Sequence, residues 1–284
     1  STLIIIIFII TNYIIFFRGK IYKIILSYKY LGQIKVNKKN FDIMIDKKNN
    51  KNNKNNKINL GNIEFRNIKF KYDNKYIFNN LNLLIKEKEK VGILGKSGSG
   101  KSTLIKLLLR FYPLESGQIL IDNIDISKFD LDYLRQNIYY INQNTNLFNE
   151  TVYYNISYGL KNNENSSNKL NKYLIDEFLK KQDLYNIFDK LEKGLESNSG
   201  PNGTNLSLGM QKVVLLVRGL LACKERGHKI VIFDEPLTAL DKNSREKVIK
   251  MIMEECNDKT LIIITHDTEI VPYMDRIVNL KDLL

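Results

Sequence analysis

Residues 95–102 read Gly95-Lys96-Ser97-Gly98-Ser99-Gly100-Lys101-Ser102, a spacing that fits G-x-x-x-x-G-K-[ST]. A short apolar run, Val91 to Leu94, leads in, and a helix-compatible run from Thr103 to Arg110 leads out. Strand, glycine loop and helix start together form the context of a phosphate-binding loop. Gly98 and Gly100 free the backbone to bend, so that successive N–H groups converge on an anion. The dipole of the following helix adds partial positive charge at the same point. In that geometry Lys101 reaches the β- and γ-phosphates, and Ser102 sets its hydroxyl on Mg²⁺. The loop predicts a nucleotide site running from Gly95 through Thr103, with Lys96, Ser97 and Ser99 among its members.

Two further apolar runs end in residues suited to that chemistry. Ile230-Val231-Ile232-Phe233 leads straight into Asp234-Glu235, and Leu261-Ile262-Ile263-Ile264 into Thr265-His266. Phosphate transfer to water needs a metal, a positioned water and donors for the γ-phosphate charge. Asp234, at the end of a buried strand, is expected to coordinate Mg²⁺. Glu235 follows at once, so it projects differently and is placed to accept a proton from the attacking water. His266, at the matching strand end, is expected to hydrogen-bond the γ-phosphate.

Around these runs the pattern alternates strand and helix. Ile63 to Phe70 alternates as a strand does, and Leu81 to Ile85, Gln118 to Ile121 and Ile138 to Ile141 are short apolar strands. Helices are predicted over Leu170 to Phe188, over the nearly all-apolar Gln211 to Leu221, and over Ser244 to Glu255 with Ser244 as cap. Lys161 to Asn168 is a polar insertion, expected as a surface loop. Apolar strands alternating with helices predict an α/β fold with a mainly parallel sheet covered on both faces.

Upstream the character changes. Leu3 to Phe17 is an almost unbroken apolar run followed by Arg18, Lys20 and Lys23. As helix it covers about 22 Å, short of the ~30 Å hydrocarbon core. A cleaved signal peptide would carry its basic residues first, so the order here suits the tail of a membrane domain with its basic end in the cytosol. Ile21 to Asp46 continues as connecting helix, and Asn49 to Lys57 is a polar, low-complexity tether. The expected organisation is 1–48, end of a membrane domain and connecting helix; 49–57, linker; and 58–284, a catalytic domain.

The net charge of +13 comes from 44 Lys and Arg against 31 Asp and Glu, with the lysines scattered rather than clustered, so no nucleic-acid partner is expected. Two cysteines, Cys223 and Cys256, stand in unrelated contexts, and two histidines are too few for a metal cluster. A hydrophobic fraction of 43% over 284 residues is ample for a packed core.

Between Ile58 and Leu280 the sequence resembles the nucleotide-binding domain of ABC transporters, of the multidrug-resistance and half-transporter exporter type. Phe70-Lys71-Tyr72 is similar to the A-loop, whose aromatic stacks on adenine. Gly95 to Ser102 is Walker A, and Ile230 to Glu235 is Walker B. Ile141-Asn142-Gln143 is similar to the Q-loop, which implies a metal and catalytic role for Gln143. Asn146 to Val152 resembles the exporter segment that contacts the membrane domain. Thr238-Ala239-Leu240-Asp241 matches the D-loop, and His266 the H-loop. The resemblance implies a P-loop ABC ATPase fold with an N-terminal antiparallel β region and a helical subdomain at about 144–218. It implies ATP and Mg²⁺ as cofactors. It also implies a second nucleotide-binding domain as partner, each ATP being completed by the opposite chain's signature loop, and a transmembrane domain moving an unknown substrate. Phe41 to Asp46 is similar to the end of an exporter membrane domain.

One motif departs from the family. Where the signature loop reads LSGGQ, this chain has Leu206-Ser207-Leu208-Gly209-Met210. Ser207 and Gly209 remain as donors to the partner's ATP, while Leu208 adds bulk and Met210 loses an amide. A weakened contribution to the opposite site is expected. Two other classes compete: a soluble ABC ATPase acting on nucleic acid or ribosomes, for which basic charge is the cue, and a degenerate regulatory ATP-binding module.

Overall fold

The computed structural model describes residues 56–95, 98–142, 145–160 and 167–283. The expected membrane-domain remnant and connecting helix, most of the tether, Lys96, Ser97, Gln143 and residues 161–166 of the polar insertion lie outside them, while Ser167 and Asn168, expected in that loop, already belong to a helix. Among the described residues no helix is long and apolar enough to cross a membrane.

The described residues begin with a hairpin. β1 (Ile63–Tyr72) pairs antiparallel with β2 (Lys75–Ile85). In β1 the apolar positions switch phase, from Ile63 and Phe65 to Ile68 and Phe70, and all four are buried. A bulge resets the register between Phe65 and Ile68: Asn67 takes a left-handed φ of 49° and gives its N–H to Asn82 Oδ1 at 2.8 Å. The loop-feeding strand β3 (Lys90–Leu94) leads to helix α1 (Lys101–Leu108). β4 (Ser116–Ile121) and the two-residue β5 (Ile124–Asp125) return to the hairpin, giving an antiparallel sheet of order β2-β1-β4-β5. In the turn between them, the Asp122 carboxylate accepts the backbone N–H groups of Asn59, Leu60, Gly61 and Asn62 at 2.7–2.9 Å. That clamp ties the segment before β1 to the antiparallel sheet.

α2 (Leu131–Asn137) precedes β6 (Ile138–Ile141), after which come α3 (Val152–Ser157), α4 (Ser167–Lys181) and α5 (Leu208–Arg226). Then β7 (Ile230–Asp234), α6 (Lys242–Glu255), β8 (Thr260–Thr265) and β9 (Arg276–Asn279) follow. The second sheet is five-stranded, of order β6-β7-β8-β3-β9, and every pairing in it is parallel. In its inner strands the runs Ile230 to Phe233 and Leu261 to Ile264 are apolar and buried throughout, because both faces are covered. In β7, Val231 and Phe233 enter one core while Ile230 and Ile232 enter the other; in β8, Leu261 and Ile263 divide from Ile262 and Ile264 in the same way. The first core takes in α3 to α6, and the second takes in α1, α2 and the antiparallel sheet.

Two predicted elements shift. The helix expected over Leu170 to Phe188 stops at Lys181, where Asp183 turns left-handed (φ 51°). The apolar rhythm reads on because Leu184 and Phe188 still enter the same core, from a turn. The cap of α6 is Asp241, not Ser244: Asp241 Oδ1 accepts the Ser244 N–H at 3.0 Å, and Oδ2 accepts its hydroxyl at 2.7 Å.

Candidate active site

β3 and α1 deliver the glycine loop. Gly100 caps α1 with φ +96°, and a Cβ there would come within 2.9 Å of Ile77. At Gly95 a Cβ would fall 2.6 Å from Ser99 Oγ. The loop is therefore a cradle that side chains would fill. Ser99 Oγ is itself buried and has no hydrogen-bond partner among the described residues. An orphaned donor in a glycine cradle at a helix start fits a phosphate. Lys101 is buried, with its Nζ donating to the Gly95 carbonyl at 2.5 Å; Thr103 is buried and Ser102 exposed.

β8 lies between β7 and β3, so the ends of all three strands come to one edge of the sheet beside the loop. Asp234, the last residue of β7, is buried, and its Oδ2 accepts the Tyr140 hydroxyl at 2.9 Å. Burial pushes its carboxyl up, and Glu235 adds to this; the Tyr140 bond, Lys212 and Lys101 pull it down. Burial, followed by the Asp234 charge, raises the Tyr140 phenol. Glu235 leaves the strand with a left-handed φ of 52°, its N–H donating to the Ile264 carbonyl at 2.8 Å. Its carboxylate spans two partners: Oε2 accepts the Thr265 hydroxyl at 3.0 Å, and Oε1 lies 2.9 Å from His266 Nδ1. The Glu235 side chain is 11% exposed and that of His266 73%, so the histidine forms the open lip of the site.

A cavity of about 720 Å³ joins these parts. Tyr72, the loop with Lys101, Ser102 and Thr103, and the acids with His266 all line it. A second cavity, of about 360 Å³, holds Ser207, Gly209 and Asp241. Ser207 caps α5, its Oγ accepting the Met210 N–H at 3.2 Å. Gly209 packs on the D-loop, where a Cβ would stand 3.2 Å from the Ala239 carbonyl. Leu208 is 69% exposed and Met210 buried. The structure thus gathers the predicted residues into two separate places, with Lys96, Ser97 and Gln143 outside the described residues.

Three residues of the acid cluster escape sequence reasoning. Tyr140 pairs with Ile232, two residues before Asp234 on the same face, through a β6–β7 contact that no local pattern announces. Thr265 looks like one more strand residue. Lys212 falls in the helix read as nearly all-apolar, where a single charge points to no partner; it is buried, and burial lowers its pKa, opposed by Asp234 and Glu235.

Fold and site together define a class, the P-loop ABC ATPase. A sequence profile of the ABC transporter family matches residues 78–238, and the chain belongs to that family. It is 39% identical over 206 residues to "ABC transporter ATM1" of Plasmodium falciparum (isolate 3D7), which covers 72% of this chain and 19% of that protein. To the alpha-hemolysin translocation ATP-binding protein HlyB of Escherichia coli O6:H1 it is 37% identical over 220 residues, covering 77% of this chain and 30% of the other. A solved bacterial Atm1-family ABC exporter with ATP bound superposes with a TM-score of 0.69 at 28% identity, covering 79% of this chain and 38% of that one. The chain spans less than two fifths of the length of any of these three, and the solved structure is of an exporter, the type that the motifs implied.

Proposed function

We propose that this chain is the ATP-hydrolysing part of an ABC exporter, using ATP binding and turnover to move a substrate across a membrane. The cavity that joins an orphaned Ser99 hydroxyl and Lys101 to the Asp234–Glu235 pair carries this reading. The amides of the glycine loop and Lys101 would hold the phosphates, and Tyr72 would face the base. Ser102 and Asp234, with Gln143, would hold Mg²⁺. When bound, that ion neutralises charge on the phosphate oxygens. One buried carboxylate beside a serine hydroxyl in the same cavity suits a hard cation that takes few protein ligands. Glu235 would accept the proton of the attacking water, held in place by Thr265, and His266 would donate to the γ-phosphate.

The separation of Ser207, Gly209 and Asp241 from the phosphate loop supports a second nucleotide-binding domain as partner, identical or not. A membrane domain is the other partner, and the division at residues 48 and 57 belongs to this reading. Phe148, Tyr154 and Tyr158 form an exposed ring cluster, with ring centroids 4.5–6.4 Å apart, in and beside the segment that resembles the exporter contact. Beneath it the buried Arg218 of α5 donates to Asn155 O at 2.5 Å and Oδ1 at 2.6 Å, a firm floor for a docking surface.

The test is uptake of Mg-ATP by the purified chain. Binding that is lost in Lys101→Ala is expected; no uptake, or equal uptake by Lys101→Ala, would overturn the assignment.

A further inference from the structure

The nucleotide cavity has an apolar wall, Tyr72 and Ile77, that phosphate chemistry does not use. Tyr72 is the last residue of β1, half-buried where the strand meets the cavity. Its centroid lies 4.9 Å from that of Phe70 at an interplanar angle of 86°, and 5.2 Å from that of Tyr112 at 88°. Phe70 and Tyr112 in turn lie 5.9 Å apart, closing a triangle of rings. Phe70 is a buried core residue, whereas Tyr112 is 39% exposed and comes from the segment after α1.

That segment is pinned on both sides of Tyr112. Before it, Arg110 takes a left-handed φ of 54°, and its Nη1 donates to the carbonyls of Ile126 and Phe129 at 3.1 and 2.9 Å. Arg135 donates to the carbonyls of Leu109 and Arg110 at 3.1 and 3.2 Å, and its guanidinium lies 4.5 Å from the centre of the Phe111 ring. After it, the Glu115 N–H donates to the Lys69 carbonyl at 3.0 Å, and the Glu115 carboxylate accepts from Lys71 Nζ at 3.1 Å. Tyr112 is thus presented by a fixed corner rather than a free loop, and it has no other described part in the site.

Stacking of a base on an aromatic ring is worth about 1–3 kcal/mol. A ring that must first be immobilised gives part of that back as lost side-chain entropy. We propose that Tyr112 is a positioning residue for the nucleobase, holding Tyr72 edge-on so that it offers a fixed stacking surface beside the phosphate loop. This rests on the nucleotide reading of the cavity and adds to it a determinant that acts on the base and not on the phosphates.

Titration calorimetry of the 284-residue chain with Mg-ATP and with Mg-tripolyphosphate, which has no base, separates the two roles. Tyr112→Ala is expected to raise the Kd for ATP about three- to tenfold while leaving that for tripolyphosphate within about twofold of wild type. Tyr112→Phe, which keeps the ring, should bind both ligands within about twofold of wild type. Thermal melts check folding; if Tyr112→Ala fails to fold, Tyr112→Leu replaces it under the same criteria. An unchanged ATP Kd in the ringless variant overturns the proposal, and so does equal weakening of both ligands, which would mark a structural loss. Wild-type chain that binds neither ligand would instead sink the phosphate-loop reading, and this inference with it.

Discussion

Glu235 sits at φ 52° directly after Asp234, and the left-handed backbone turns its carboxylate to its own partners. Such a conformation costs a non-glycine residue about 1–2 kcal/mol, so it persists only because bonds to Ile264, Thr265 and His266 hold it. Two adjacent acids thereby acquire different surroundings: Asp234 faces Tyr140, and Glu235 faces Thr265 and His266. Glu235→Gln should lower ATP turnover by about a hundredfold or more while Mg-ATP is still bound; steady-state hydrolysis and a binding assay check this, and unchanged turnover would remove Glu235 from the chemistry. Asp234, Glu235 and His266 were legible in the sequence because each ends an apolar run. Tyr140 was not, since its bond to Asp234 spans 94 positions and depends on strand order. At the signature loop, the 69% exposure of Leu208 puts an apolar side chain where a partner's phosphates are expected. The double change Leu208→Gly, Met210→Gln should raise the ATPase rate of the assembled transporter, and no gain would defeat the idea of a weakened loop.

At the scale of elements, the turn between β4 and β5 does more than reverse the chain. Asp122 satisfies four backbone donors of the incoming segment with one carboxylate, the largest share of the side-chain bonds that hold this edge of the domain. Asp122→Ala should cost roughly 2 kcal/mol, seen as a lower urea midpoint; a loss below about 0.5 kcal/mol would mean that water replaces the clamp. A helix buried all round, as α5 is from Lys212 to Cys223, was legible from composition alone. Helix ends were not. The apolar rhythm from Leu170 to Phe188 continues through a turn because core contact, not helical geometry, sets it. The cap of α6 was displaced because both Asp241 and Ser244 have suitable oxygens, and only the backbone angles at Asp241 select it.

For the whole molecule, the mainly parallel sheet was legible because strands buried on two faces must be apolar throughout, as Ile230 to Phe233 and Leu261 to Ile264 are. Strand order was not, for nothing in β8 says that it lies between β7 and β3. Stability should also carry a mark of the packing around the sheet. His228, just ahead of β7, is buried edge-on to Tyr139 with Nδ1 unbonded among the described residues. Burial pushes its pKa below the ordinary 6.5, against the pull of the Gln136 and Cys223 carbonyls. The unfolded chain therefore takes up a proton that the folded one refuses. The contribution of His228 is complete above pH 6.5 and is lost as the pH drops through its lower folded value. The fall in melting temperature between about pH 7.5 and about pH 5.5 should be smaller in His228→Phe; an equal fall would assign the acid sensitivity elsewhere.

β7 and β8 send alternate side chains into two different interiors, with the helix behind the phosphate loop on one side and the helix that Ser207 caps on the other. They act as a party wall between two rooms. Neither room can be vacated without exposing the wall's oily plaster to water, so this domain has no half that it could shed and still stand.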